Sequence, residues 1–215
     1  MKWILQPQAV FSASPVVPVM VIKKLEDALP MAKALQAGGI NVFEITLRSS
    51  VALDAIKLLS KEVPDALVGA GTVLSAEQYD QAVAAGAKFV ISPGATPALL
   101  KHAAASDVAL IPGTATPSEM MQALELGYDH LKFFPAEING GAPALKAISA
   151  ALPQLSFCPT GGVSPKNVAN YLAVDCVKTI GGSWIIPNDA VAAGDWAKVT
   201  ELTAEAVALV KSLRG

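Results

Sequence analysis

Residues 66–93 read ALVGAGTVLSAEQYDQAVAAGAKFVISP, and this stretch decides the fold. ALVGAGTV (66–73) is a short apolar run, the pattern of a strand buried on both faces. Ser75 then stands as a helix N-cap, Glu77 and Gln78 follow, and the helical stretch SAEQYDQAVAAGA stops at Gly86. KFVISP (88–93) is the next apolar run. Strand, helix and strand in this order make one parallel unit with a right-handed crossover.

The unit recurs in both directions. Further strands read at PVVPVMVI (15–22), INVFEITL (40–47), VALIPG (108–113), HLKFFP (130–135), LSFCPT (155–160) and VKTIGG (177–182), which makes eight in all. Between them lie helical stretches. LEDALPMAKALQAGG (25–39) spaces Leu25, Ala28, Leu29, Ala32 and Leu35 by threes and fours and ends in a glycine pair. TPSEMMQALELG opens on Thr116 with Pro117 at the first helical position, and SPKNVANYLAV repeats that opening at Ser164 and Pro165. DWAKVTELTAEAVALVKSLR (195–214) is a long amphipathic helix. Eight such units predict an α/β fold, a (β/α)8 TIM barrel, compact against the roughly 250 residues usual for it. An open doubly wound sheet would carry a GxGxxG after its first strand, and none is present. Residues 1–14 precede the first strand and are expected to form an N-terminal helix closing the barrel bottom. No linker interrupts the chain, so residues 1–215 are expected to be a single barrel domain.

Composition narrows the function. Apolar residues make up 53% of the 215 and charged residues only 16%, against about 25% charged in an average domain. That leaves ample apolar surface to offset ordering entropy and excludes extensive disorder. No apolar run reaches the ~18 residues of a membrane-spanning helix, and the first residues make a poor signal peptide, being interrupted at Gln6, Pro7 and Gln8. A cytoplasmic location and no membrane partner are expected. Net charge is −2, without any basic block, which argues against nucleic acid. Two cysteines and two histidines are too few for a disulfide framework or a histidine-rich metal site.

Three charged residues stand where an apolar core would not place them. Lys132 interrupts HLKFFP between Leu131 and Phe133. Burying an ammonium ion favours the neutral amine, which is the form a Schiff-base nucleophile needs; the alternative is a lysine whose head group snorkels to solvent from the strand end. Glu44 shares one strand face with Val42, Thr46 and Arg48, leaving Phe43, Ile45 and Leu47 for the helices. A carboxylate directed into the barrel is either catalytic or the partner of a buried cation. Arg48 lies roughly 13 Å beyond Glu44, at or past the strand tip. It suits a substrate carboxylate, or else is a surface arginine.

The remaining signals are shaped for an anion. CPTGG (158–162) and IGGS (180–183) follow the last two strands, where barrels commonly bind phosphate through backbone N–H groups. GAGT (69–72) and SPG (92–94) also end strands, and Thr72 offers a hydroxyl from the face of Val68 and Ala70. Cys158 and His130 read as packing residues, Pro93 and Pro112 as strand terminators, and Glu137 as a loop residue in a supporting role.

At these residues the chain resembles the 2-keto-3-deoxy-6-phosphogluconate (KDPG) aldolase / 4-hydroxy-2-oxoglutarate aldolase family. GINVFEITLR (39–48) and GYDHLKFFPAEING (127–140) carry the resemblance; VGAGTV, ISPG, CPTGG and IGGSW follow it in order. It runs from about Pro15 to the C-terminus. The resemblance implies a class I aldolase without metal or other cofactor, typically a homotrimer, that takes a 2-keto-3-deoxy phosphosugar acid and releases pyruvate. It implies Lys132 as the imine-forming residue and Glu44 as general acid and base. Arg48 and Thr72 would hold the pyruvyl carboxylate, and Pro93 and Phe134 would wall the pocket. Thr160, Gly161, Gly162, Gly181, Gly182 and Ser183 would hold the phosphate. The phosphogalactonate branch shares this plan, although CPTGG and GGSW resemble the phosphogluconate branch more. Two rivals differ in chemistry. A metal-dependent epimerase would want several His and Asp ligands at strand ends. A non-catalytic phosphometabolite-binding barrel would keep Lys132 and Glu44 as a structural ion pair.

Overall fold

Every apolar run in the sequence forms a strand, and nearly every strand leads into a helix. The computed structural model describes residues 1–214. Its strands are β1 (Val16–Met20), β2 (Val42–Thr46), β3 (Leu67–Gly71), β4 (Phe89–Ile91), β5 (Ala109–Ile111), β6 (Gly113–Thr114), β7 (His130–Phe133), β8 (Ser156–Pro159) and β9 (Ile180–Gly182). Its helices are α1 (Pro7–Ala13), α2 (Ala28–Ala37), α3 (Ala52–Glu62), α4 (Ala76–Ala84), α5 (Pro97–Ala104), α6 (Pro117–Glu125), α7 (Gly141–Ala151), α8 (Val168–Leu172), α9 (Asn188–Ala193) and α10 (Trp196–Arg214). Together they form an α/β fold around a curled parallel sheet.

The strands hydrogen-bond in two sets, β5-β4-β3-β2-β1-β9 and β6-β7-β8. The run at 108–113, expected as one strand, is split into β5 and β6 at Pro112. Proline has no N–H to give to a ladder, but its carbonyl still accepts from Lys132 N at 2.9 Å. β5 pairs with β4 before the proline, and β6 pairs with β7 after it. At the other junction, Phe157 N donates to Cys176 O (2.7 Å), Lys178 N donates to Phe157 O (3.0 Å), and Thr160 bridges Gly181.

Side chains alternate between two apolar layers. Phe43, Ile45, Val68, Ala70, Leu131 and Phe133 belong to the large core beneath the helices. Val17, Val42, Phe89, Ile91, Ile111 and Cys158 form an inner cluster, completed by Val10 and Phe11 of α1. The N-terminal helix therefore packs against the inner residues of the strands, as expected. The expected caps also form. Ser75 accepts from Gln78 N, and Thr116 and Glu119 make a reciprocal capping box after which Pro117 opens α6.

Two helix starts differ from the sequence reading. Residues Leu25–Asp27 form a separate 3-10 turn before α2. α8 begins at Val168 rather than at Pro165, because the Asn167 side chain builds a turn instead. Its Oδ1 accepts from Ser164 N (2.8 Å) and its Nδ2 donates to Gly162 O (2.9 Å). Among the described residues no helix is long and apolar enough to cross a membrane.

The inner layer is close-packed at Gly69, where an added Cβ would lie 2.5 Å from ring atoms of Phe89. Overpacking of this kind costs about 1–3 kcal/mol. Gly69→Ala is therefore expected to lower the urea unfolding midpoint by that amount of stability, and an unchanged midpoint would show that the layer yields there.

Candidate active site

β2 and β7 carry the two misplaced charges, and the curl of the sheet turns them toward each other. Lys132 Nζ donates to Glu44 Oε1 at 3.2 Å. Both residues are buried, Lys132 at 5% and Glu44 at 1% exposure. No other ion pair among the described residues has both partners buried. The Lys132 ammonium also lies 5.2 Å from the centroid of the Phe134 ring, within reach of a cation–π attraction.

Two glycines flank the pair, one leaving room for the Glu44 carboxylate and one for a neighbouring backbone. A Cβ on Gly71 would run into the Glu44 carboxylate, with Cγ at 2.6 Å. Gly113 is the β6 neighbour of Lys132, and a Cβ there would strike the Pro93 backbone and lie 2.6 Å from Ser92 O. Cys158 is the β8 neighbour. Burial, with Glu44's charge acting in the same direction, pushes its thiol up to about 12. Cys158 is thus a neutral packing group, as the sequence suggested. His130 takes the same kind of role, edge-on to Phe11 with ring centroids 5.2 Å apart and hydrogen-bonded to Asp129 at 2.7 Å.

A cavity of about 880 Å³ opens beside the pair. Arg48, Phe134, Thr160, Gly161, Gly162, Gly181, Gly182 and Ser183 all line it, so eight of the twelve expected site residues meet at one place. Gly161 and Gly162 have φ of 98° and 81°, a left-handed conformation that suits glycine. Gly181 faces Thr160, whose side chain occupies the space a Cβ would need.

Lys132 and Glu44 are not among the cavity walls, but Phe134, over which Lys132 lies, is. Thr72 and Pro93 do not line the cavity. Val68 and Ala70, whose face was assigned to Thr72, pack under the helices. Thr72 itself has φ of 56°, which breaks the strand alternation on which that assignment rested. Pro93 instead packs its backbone against Gly113.

Sequence reasoning missed the walls supplied by the segment after β1, by α9 and by the start of α10. Lys23, Lys24, Glu26 and Asp27 line the cavity, as do Asn188, Val191 and Trp196. The signal for the two lysines was available: a charged pair directly after an apolar strand, the same feature that marked Arg48. Among the described residues no group of three or more His, Cys, Asp or Glu is placed to hold a metal ion.

Comparison with known proteins agrees with this geometry. The family model described as KDPG and KHG aldolase matches residues 8–202. A 2-dehydro-3-deoxy-phosphogluconate aldolase of Pseudoalteromonas atlantica is 54% identical over 207 residues, covering 96% of each chain. A KHG/KDPG aldolase of Escherichia coli is 53% identical over 206 residues, covering 96% of this chain and 97% of its own. The crystal structure of KDPG aldolase from Legionella pneumophila, with pyruvate captured as a covalent carbinolamine intermediate, superposes with a TM-score of 0.94 at 54% identity, covering 95% of this chain and 100% of the other. The chain belongs to the KDPG and KHG aldolase family.

Proposed function

We propose that this chain is a class I aldolase that cleaves 2-keto-3-deoxy-6-phosphogluconate to pyruvate and glyceraldehyde 3-phosphate. The carrying observation is the buried contact between Lys132 Nζ and Glu44 Oε1. A primary amine and a carboxylate at 3.2 Å in an apolar layer make a nucleophile with its own proton acceptor. The amine adds to the C2 ketone to give a carbinolamine, and loss of water gives a protonated imine. The imine withdraws the electron pair of the C3–C4 bond as Glu44 takes the C4 hydroxyl proton. The resulting enamine is reprotonated at C3, and water releases pyruvate. The electron sink is the imine, so this reading assigns no metal or other cofactor to the reaction. The carbinolamine in the Legionella pneumophila enzyme supports the first step.

Arg48 at the cavity mouth and Thr72 are assigned the carboxylate end, with Phe134 and the Pro93 backbone shaping the pocket. The glycine pairs at 161–162 and 181–182, with Thr160 and Ser183, are assigned the phosphate. Cleavage of 4-hydroxy-2-oxoglutarate to pyruvate and glyoxylate uses the same steps without the phosphate, and the name of the Escherichia coli relative supports it.

The wider reading follows from the same features. The hydrogen bonds at Pro112, Phe157 and Thr160 support closure of the two strand sets into an eight-stranded barrel forming one domain over residues 1–215. Exposed Leu74, Met121 and Ile138 supply apolar surface for the homotrimer that the family implies. A cytoplasmic location agrees with two free cysteines.

Borohydride reduction in the presence of pyruvate is expected to leave one stable adduct, mapped to Lys132 by peptide mass spectrometry. Lys132→Ala is expected to abolish the adduct and lower turnover by about 10⁴-fold or more while the chain still folds. An adduct elsewhere, or none from folded wild-type protein, would sink the imine mechanism. Gly71→Ala pushes a methyl group against the Glu44 carboxylate. Displacing a reacting group by about 1 Å costs on the order of 10²-fold, so steady-state assays should show kcat falling by that factor, and an unaltered kcat would free Glu44 of its assigned role.

A further inference from the structure

The cradle assigned to the phosphate contains a glycine pair that cannot hold its own shape. Gly161 and Gly162 both take positive φ, and glycine has more conformational freedom to lose than any other residue. Something beside them must hold the turn. The segment after β7 does so from one side, with Ala136 N donating to Thr160 O at 2.8 Å and Glu137 N to Gly161 O at 3.1 Å. Asn167 Nδ2 donates to Gly162 O at 2.9 Å from the other.

The Glu137 side chain is the unexpected member. Its Cβ and Cγ lie where a Cβ on Gly162 would stand, at 2.7 and 2.6 Å from that position. A carboxylate at that place would repel a phosphate dianion if left to rotate freely. It is not left free, because Tyr171, on α8, donates its hydroxyl to Glu137 Oε1. The Tyr171 ring is fully buried, and burial together with Glu137's charge keeps the phenol protonated and a donor. Gly141 leaves room for both groups, since a Cβ there would lie 3.2 Å from the carboxylate and 3.4 Å from the phenol oxygen.

We propose that Glu137 and Tyr171 form a latch that positions the Gly161–Gly162 cradle and turns the Glu137 charge aside, so that the pair sets preference for the phosphorylated substrate without touching the reacting carbons. The proposal rests on the phosphate assignment given above. Both are positioning residues, and their effect is expected in KM for a substrate with a phosphate and not in the imine chemistry.

The test compares Tyr171→Phe, which keeps the ring, with Glu137→Ala, whose side chain is exposed and whose loss leaves the core intact. Each is assayed on 2-keto-3-deoxy-6-phosphogluconate and on unphosphorylated 4-hydroxy-2-oxoglutarate, with folding followed by circular dichroism. Tyr171→Phe frees the Glu137 charge and is expected to raise KM for the phosphorylated substrate about five- to tenfold, whereas Glu137→Ala loses the repelling charge together with the prop on Gly162 and is expected to raise it about threefold. The kcat values, and KM for the unphosphorylated substrate, are expected to stay within about twofold. Equal effects on both substrates, or unchanged KM for the phosphorylated one, would overturn the latch; Glu137→Ala alone decides the matter if Tyr171→Phe does not fold. Equal KM values for the two substrates in the wild type would remove the cradle itself and the latch with it. A wild-type preference for phosphate with unaffected variants would remove only the latch.

Discussion

The site depends on one interaction, the contact of Lys132 with Glu44 inside an apolar layer. Taking either charge out of water alone is very unfavourable, and removing one partner of a buried pair typically costs about 3–5 kcal/mol. The pair is tolerable only because each group satisfies the other and because Phe134 offers its ring to the ammonium. In the proposed reaction, that same mutual dependence makes the pair reactive. A lysine and a carboxylate held together out of water are ready to exchange a proton as soon as a substrate carbonyl replaces one of their contacts.

The rest of the structure reads as a set of spaces kept open around this contact. Gly71 clears the space beside the Glu44 carboxylate, Gly113 lets the Ser92–Pro93 backbone pass beside β6, and Cys158 fills the β8 position with a neutral thiol. Further out, the cavity walls come from strand ends, the loops that follow them, and α9 and the start of α10. The proposed function would thus put carbon chemistry on rigid strands and anion recognition on turns, the usual division in parallel α/β folds.

Much of this was legible in the chain. The strand runs appeared as apolar segments because both faces of a parallel sheet are buried, and Lys132 and Glu44 stood out because they violate that pattern. The glycine pairs were legible because they recur after successive strands. Features governed by backbone geometry were less so. Pro112 splits a strand and hands its pairing from β4 to β7, and a φ of 56° at Thr72 defeats the period-two rule that assigned its face. Lys23 and Lys24 follow the first apolar run directly and were readable in principle, but only the cavity shows what they border. The contact of Tyr171 with Glu137 could not be read at all. It joins residues 34 positions apart, and nothing local at either end announces the other.

The sequence distances carry a consequence of their own. Lys132 and Glu44 are 88 residues apart, so neither gains its partner from local structure. Each must be held as an unpaired charge in water until β2 and β7 face one another. The pair therefore favours the completed fold only at the end, when desolvation and attraction arrive together, and it contributes nothing to earlier, partly assembled states. The apolar layers must supply the driving force alone, which accounts for a chain that is 53% apolar and only 16% charged. An apolar pair at these two positions would remove the desolvation cost and in many proteins raises stability. It would also remove the nucleophile. The stability forgone at these two residues is the physical condition for having an amine and a carboxylate, dry and in contact, behind the Phe134 wall of the cavity.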